Sequence, residues 1–335
     1  MSLRTPICDL LGIEHPVLLA GMGGVSYAEV CAAVSEAGGF GSLGMASATP
    51  DQIRDEMRKV KQLTDKPFGV DLLAALPNSL TAAIDVIIDE GATAFIAGLG
   101  VPFPIIERLK SANIITMNMC GAVRHAQKGE QAGCDVVVAQ GTEAGGHTGP
   151  IGGMALIPQI VEAVNIPVIA AGAITDGRGL AAALAFGAQG VWVGTRFIAS
   201  TEAHAHPLYK ERIIEAEDRD TIVTRSYSGK TMRVIQNDWT AEWESKPDEI
   251  RPFGEQGAIS MGAGVMHSLR GDTSYFDPAK EAAAAGQGSG AVHDVLPAGD
   301  IVRNMVAEAE EVIARMGNIA AGDFEDSPRH GAQAG

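Results

Sequence analysis

The sequence has few cysteines. Cys8, Cys31, Cys120 and Cys134 are scattered, with no Cys-x-x-Cys pair, so a disulfide scaffold is not expected and the thiols read as small buried hydrophobes of a reducing compartment. Zinc spacing, a His-Glu-x-x-His helix and an Asp-rich calcium loop are all missing, and no metal site is expected. Positive charge is scarce too: 25 Lys and Arg stand against 41 Asp and Glu, for a formal net charge of −16. A field of that sign repels phosphate backbones and anionic lipid, so no nucleic-acid and no membrane partner is expected. Long apolar runs are absent, and Arg4, Asp9 and Glu14 break up the N-terminal segment, so neither a signal peptide nor a membrane-spanning helix is expected. A cytoplasmic protein acting on a small molecule is expected, with a homodimer left open.

What is present is 335 residues, 46% of them hydrophobic, with 41 glycines. That length suits two domains or one large α/β barrel with an insertion. Short, Gly-punctuated apolar runs recur at Val17–Leu19, Phe40–Leu43, Phe68–Leu72, Ala94–Ala97, Ile114–Asn118, Val136–Gln140, Val168–Ala171 and Val191–Gly194. Their spacing is that of a strand, a loop and a helix, and near-continuous apolar strands signal burial on both faces. Helix starts are marked by Ser26-x-x-Glu29, by Thr49-Pro50-x-Gln52 and by Asp176. Ile53, Met57, Val60 and Leu63 share one helical face, and Gly38-Gly39, Gly91 and Gly187 end helices. Eight such units predict a (β/α)8 TIM barrel over 1–204, because a doubly wound sheet usually stops at five or six strands. A smaller lid domain is expected over 205–275. It has a hairpin formed by Thr221–Tyr227 and Thr231–Ile235 around Ser228-Gly229-Lys230, and 239–275 is irregular. A helical return onto the barrel follows over 276–322, through Ala279–Ala285 and Ile301–Met316, and 323–335 is a frayed tail.

Ligands of such barrels sit at the C-terminal ends of the strands, with phosphate commonly held after strands seven and eight. The loops there, Ala171 to Gly179 and Gly194-Thr195-Arg196-Phe197, are built of small residues whose amides can approach an anion. The longest loop, Gln140 to Pro150, surrounds one imidazole, His147, with glycines, and a group titrating near neutrality suits acid–base work. His125, His204 and His206 read as ordinary surface or helix histidines. The Gly286-Gln287-Gly288-Ser289-Gly290 segment follows an alanine run and no strand, so it reads as a flexible loop rather than a nucleophile elbow or a dinucleotide fingerprint.

These pieces together resemble the nitronate monooxygenase (2-nitropropane dioxygenase) family of FMN-dependent TIM barrels, which also includes type II enoyl-acyl-carrier-protein reductases and NAD(P)H:quinone reductases. The resemblance is carried by His15-Pro16 with Gly21-Met22, Ala37 to Gly41, Lys66 to Val70, Gln140 to Gly149, Pro167 to Gly179, and Gly194 to Phe197. It implies FMN with its phosphate on Gly172, Ala173, Gly194 and Thr195 and its ring near Gly21, Met22, Gly23, Asp71, Gln140 and Gly145. His147 matches the catalytic histidine. Two positions depart from the family: Asp71 stands where Asn is usual, and Ala173 where a second Gly is frequent. An ionised Asp accepts hydrogen bonds but cannot donate them, whereas burial would protonate it. The resemblance does not choose among the family's activities, and oxidation of alkyl nitronates with O₂ is the one expected first. The alternative is an enoyl-thioester or quinone reductase taking hydride from NAD(P)H, and outside redox chemistry a flavin-free barrel or binding protein for a phosphate-bearing ligand.

Overall fold

The computed structural model describes residues 3–46, 48–74, 77–100 and 105–322. The tail expected to fray, 323–335, lies outside them. Eight parallel strands, β1 (Val17–Leu19), β2 (Gly41–Gly44), β3 (Phe68–Leu73), β4 (Ala94–Gly98), β5 (Ile115–Cys120), β6 (Val136–Gln140), β8 (Val168–Ala171) and β9 (Gly190–Val193), join in the order β1-β9-β8-β6-β5-β4-β3-β2. A parallel bridge between Leu18 and Phe40 closes the ring. The intervening label belongs to β7 (Gly146–His147), which lies in a separate sheet with β10 (Thr221–Thr224) and β11 (Met232–Ile235). The TIM barrel read from the repeat is the fold.

The period-2 alternation of each strand sorts its side chains into two shells. Leu18, Phe40, Ile96, Met117, Val138, Ile169 and Trp192 fill the barrel interior, and Ile7, Cys8 and Leu11 of the helix Pro6–Leu11 belong to the same cluster. Val17, Leu19, Leu43, Val70, Phe95, Val137 and Val193 point outward to the helices. Each such fully buried aliphatic or aromatic side chain contributes roughly 1.5–3 kcal/mol. Thr49 caps the helix Pro50–Leu63 in a reciprocal box with Gln52, and Asp176 accepts from the amides of Arg178 and Gly179. Within that first helix Ile53, Met57 and Val60 are buried, but Leu63 is 54% exposed at its last turn.

Four expectations are corrected. Ser26 does not cap a helix; Tyr27 is the N-cap residue, and the Ser26 hydroxyl donates to Ala20 O (2.8 Å) and accepts from Met22 N (3.0 Å), pinning the turn after β1. Ala279–Ala285 is not helical, because its backbone is taken up by neighbours: Ile235 N donates to Ala283 O, Ala282 N to Val265 O, and the buried Tyr209 hydroxyl to Ala284 O. The stretch 239–275 is more regular than expected. It contains the helices Asp238–Glu244 and Glu255–Gly262, the first capped by Asn237 and burying Trp239 and Trp243. Gly286–Gly290, finally, is packed into the site. The hairpin forms with Thr221 opposite Ile235, and the helix Ala298–Ala321 returns to the barrel, where Gly177 N donates to Glu308 Oε2 (2.8 Å).

Candidate active site

The long loop after β6 is fastened at both ends. Gln140 Nε2 donates to His147 O (2.8 Å), and Thr148 Oγ1 to Gly141 O (3.0 Å). The Glu143 carboxylate accepts Gly153 N through both oxygens (2.9 Å each) at the start of the helix Gly153–Ala163, where negative charge is favoured. Beyond the turn, β7 adds to the β10–β11 hairpin, with His147 opposite Met232 and Gly146 opposite Arg233. Arg233, itself buried, donates to Thr142 O (3.0 Å). His147 is thus carried by a strand of the small three-stranded sheet, although it comes from a barrel loop.

Its imidazole is partly buried. Nε2 lies 2.9 Å from Ser228 Oγ, and the Phe253 ring meets it edge-on at 5.9 Å. Burial, and secondarily the Lys230 ammonium, push its pKa down to about 4. Desolvation penalises the charged form, so the ring is neutral at pH 7 and free to accept a proton.

Across the mouth, Gly172 (φ 112°) and Ala173 (φ 52°) run consecutively through left-handed backbone. For the alanine this costs roughly 1–2 kcal/mol, which the surroundings must impose. Gly194 opens the short turn Thr195–Ile198 after β9. A third segment completes the cluster. Gly286 N donates to Thr195 Oγ1 (2.9 Å), Gln287 N donates to Glu143 O (2.9 Å), and a Cβ on Gly288 would fall 3.1 Å from Ala173 Cα. A Cβ on Gly145 would fall 2.8 Å from Gly286 N. Among the described residues the amides of Gly172, Ala173, Gly194, Thr195 and Gly288 donate to no protein acceptor. Unpaired amides converging from three loops make a cradle for an anion.

The remaining expected residues gather at the same end. A Cβ on Gly194 would lie 3.4 Å from Met22 Sδ, and Gly23 faces Ala46 and Leu269 O. A Cβ on Gly21 would fall 2.2 Å from that of Asp71, so only glycine lets the β1 turn pass that side chain. Asp71 sits in β3, paired with Gly44 and Ile96, and burial raises its carboxyl well above the usual carboxylate range. All ten residues expected at a cofactor, and His147, therefore share the C-terminal mouth of the barrel. What the sequence reading missed is Gly286 to Ser289. The signal available was the stretch of small residues from Ala282 to Ser289, interrupted only by Gln287, which suits close backbone approach as well as it suits a helix. His125, His204 and His206 stay outside the cluster: His204 Nε2 meets Gly271 O, and His206 accepts from Leu208 N at a helix start.

With this geometry in place, comparison with known proteins decides the family. The family model for nitronate monooxygenase matches residues 4–83 and 78–308. The chain belongs to the nitronate monooxygenase family. It is 32% identical over 361 aligned positions to a probable nitronate monooxygenase of Staphylococcus saprophyticus, covering 94% of this chain and 100% of that protein. It is also 41% identical over 248 residues to (3aS,4S,5R,7aS)-5-hydroxy-7a-methyl-1-oxo-octahydro-1H-indene-4-carboxyl-CoA dehydrogenase of Mycobacterium tuberculosis, over 73% of this chain and 70% of that one. Among solved structures, FabK from Thermotoga maritima superposes with a TM-score of 0.87 at 36% identity, over 94% of this chain and 99% of that chain. The family is one of oxidoreductases. No helix among the described residues is long and apolar enough to cross a membrane.

Proposed function

We propose that this chain is an FMN-dependent oxidoreductase that oxidises alkyl nitronates with O₂. The observation that carries the reading is the pairing, in one barrel mouth, of an unpaired amide cradle with a neutral imidazole. The cradle fits a phosphomonoester: Gly172, Ala173, Gly194, Thr195 and Gly288 would hold it through backbone amides, which no side-chain charge in a strongly acidic protein is needed to supply. Met22, Gly23, Gln140, Gly145 and Asp71 would then line the ring. When bound, FMN supplies the redox centre that takes electrons from the substrate and passes them to O₂.

The protein's own part lies with His147. Neutral at pH 7, it removes a proton from the carbon beside a nitro group, or holds the nitronate oxygens by hydrogen bonding once it carries that proton. Ser228 keeps the ring oriented, and Phe253 excludes water from one edge. The similarity, over nearly the whole chain, to a probable nitronate monooxygenase supports this reading. The 41% identity to a carboxyl-CoA dehydrogenase favours a second reading, in which the same site works on an acyl thioester with NAD(P)H as a co-substrate.

Purified protein should be yellow and should release FMN on heating; release of FAD, or a colourless protein from riboflavin-replete cells, would overturn the cofactor assignment. Anaerobic mixing with an alkyl nitronate, NADH, NADPH and an acyl-CoA in turn separates the two activities by which one bleaches the visible absorption.

A further inference from the structure

Arg54, Arg58 and Lys61 all reach Glu90, whereas a group of cations beside the site mouth has no carboxylate partner among the described residues. On the helix Val123–Ala132, Arg124 and Lys128 stand one turn apart, both exposed, flanking His125. Gly121, just before that helix, meets the β6 loop, since a Cβ on Gly149 would fall 2.9 Å from Gly121 O. On the facing lid turn, the exposed Lys230 sits over the Phe253 ring at 6.0 Å, and that ring is the one that meets His147. Thr148 N donates to Thr231 O and Thr231 Oγ1 to Thr148 O (3.0 Å), which ties the residue after Lys230 to the residue before Gly149 and so brings that turn beside the start of the helix; Lys230 also lowers the pKa of both His125 and His147. Arg225 is turned to Gly229 O on the same lid turn. None of these cations forms an ion pair among the described residues, and Glu130, the acid on the helix, is engaged by Asn165 N.

Like charges gathered without counter-ions raise the free energy of the unliganded protein and are relieved by a polyanion. An aromatic face among them offers stacking to a base, which inorganic anions do not use. We propose that Arg124, Lys128 and Lys230, with the Phe253 ring, dock a phosphorylated adenosine diphosphate, the group that coenzyme A thioesters and NADPH have in common. This deepens the second form of the oxidoreductase reading, an acyl thioester with NAD(P)H, on which its consequence for turnover rests, by naming the anionic end of the substrate or co-substrate. The binding itself is measurable without turnover.

The test is calorimetric titration of the flavin-loaded protein with adenosine 3′,5′-bisphosphate, which mimics coenzyme A, and adenosine 2′,5′-bisphosphate, which mimics NADPH. One of them should bind, more weakly as salt is raised. The surface double variant R124E/K128E should bind it roughly tenfold or more weakly, while R124K/K128R retains it. The isomer that binds identifies the source. For the corresponding acyl-CoA or NADPH, KM should rise with little change in kcat in R124E/K128E, whereas KM for an N-acetylcysteamine thioester, which carries no phosphate, should not move. The proposal is overturned if neither bisphosphate binds the parent, if both bind the charge-reversed variant as tightly, or if the phosphate-free thioester loses as much as the full one. Binding that is lost on charge reversal in a protein that turns over neither thioester nor NADPH would leave the docking site standing and sink the thioester and NAD(P)H reading instead.

Discussion

The loop after β6 and the loops after β8 and β9 all depend on glycine, but they use it in opposite ways. In the β6 loop nearly every polar group is spoken for. Thr142, Glu143, Gly141 and His147 all carry hydrogen bonds to the lid, to the next helix or to each other, and Gly145 is a glycine because Ala285 and Gly286 pass against it. After β8 and β9 the glycines leave amides without partners. Glycine therefore serves close packing in the first region and open donors in the second. A side chain held for chemistry needs the first kind of loop, and a ligand needs the second.

The sharpest way to break this comparison is to remove the side chain that the fastened loop presents. His147→Ala should leave fold and flavin content unchanged, because the loop is anchored by backbone and by Glu143, and should lower turnover by ~10²–10⁴, the usual worth of a positioned acid–base group. Steady-state kinetics with the substrate that the anaerobic mixing identifies measure it. Parent-like kcat/KM would make the histidine a bystander.

The second test strikes the open loops. Thr195→Leu crowds the cradle and takes away the acceptor of Gly286 N, so flavin occupancy should fall sharply. Thr195→Val keeps the shape and removes only the acceptor. Leaving a buried amide unpaired costs about 1–3 kcal/mol, or roughly 5- to 150-fold in FMN affinity if the third segment then withdraws. Fluorescence titration of apoprotein with FMN reads both. Equal affinity in the two variants and the parent would mean that the cradle is not where the phosphate sits.

The contrast also explains what could be read in the sequence. The strands were legible because a strand buried on both faces must be an apolar run, and Val17–Leu19, Val136–Gln140 and Val168–Ala171 fall where their residues place them. The open glycines after β8 and β9 were legible by position, since barrel geometry fixes where ligand loops occur. Gly286 to Ser289 was not. Its role depends on a contact with Thr195 across 91 residues of chain, and short-range patterns carry nothing about so distant a partner. The same holds for Ala279–Ala285, whose helix-forming alanines are overruled by hydrogen bonds to Ile235, Val265 and Tyr209. Ser26 was misread for a related reason, its hydroxyl being claimed by the Ala20 carbonyl before it could cap a helix.

A third test sharpens the electrostatics around His147. A base must be neutral to work, so the acid limb of kcat/KM should lie near the depressed value of about 4 rather than near ~6.5, the ordinary histidine range. Lys230 contributes to that depression, so Lys230→Met should move the limb upward, less than all the way, because burial is the larger cause. A downward shift would contradict the assigned sign.

The smallest expected effect belongs to Asp71, where the sequence departs from the family. An ionised carboxylate near the flavin ring would oppose its reduction. At an effective dielectric of ~20, two charges ~6 Å apart interact by about 3 kcal/mol before solvent screening, and for a two-electron couple ~1.4 kcal/mol corresponds to ~30 mV. Burial, however, holds the Asp71 carboxyl well above its usual range, and a protonated carboxyl both donates and accepts, as the Asn that the family resemblance leads one to expect there would. The departure is therefore muted while the group keeps its proton. The midpoint potentials of parent and Asp71→Asn should coincide in acid and separate as pH rises through the carboxyl's raised pKa, the parent falling below the variant by tens of millivolts at most. Potentiometric titration across pH 5 to 9 checks this. A parent already well below the variant at pH 5 would show an ionised Asp71, and a variant below the parent at any pH would show that its charge does not act on the flavin.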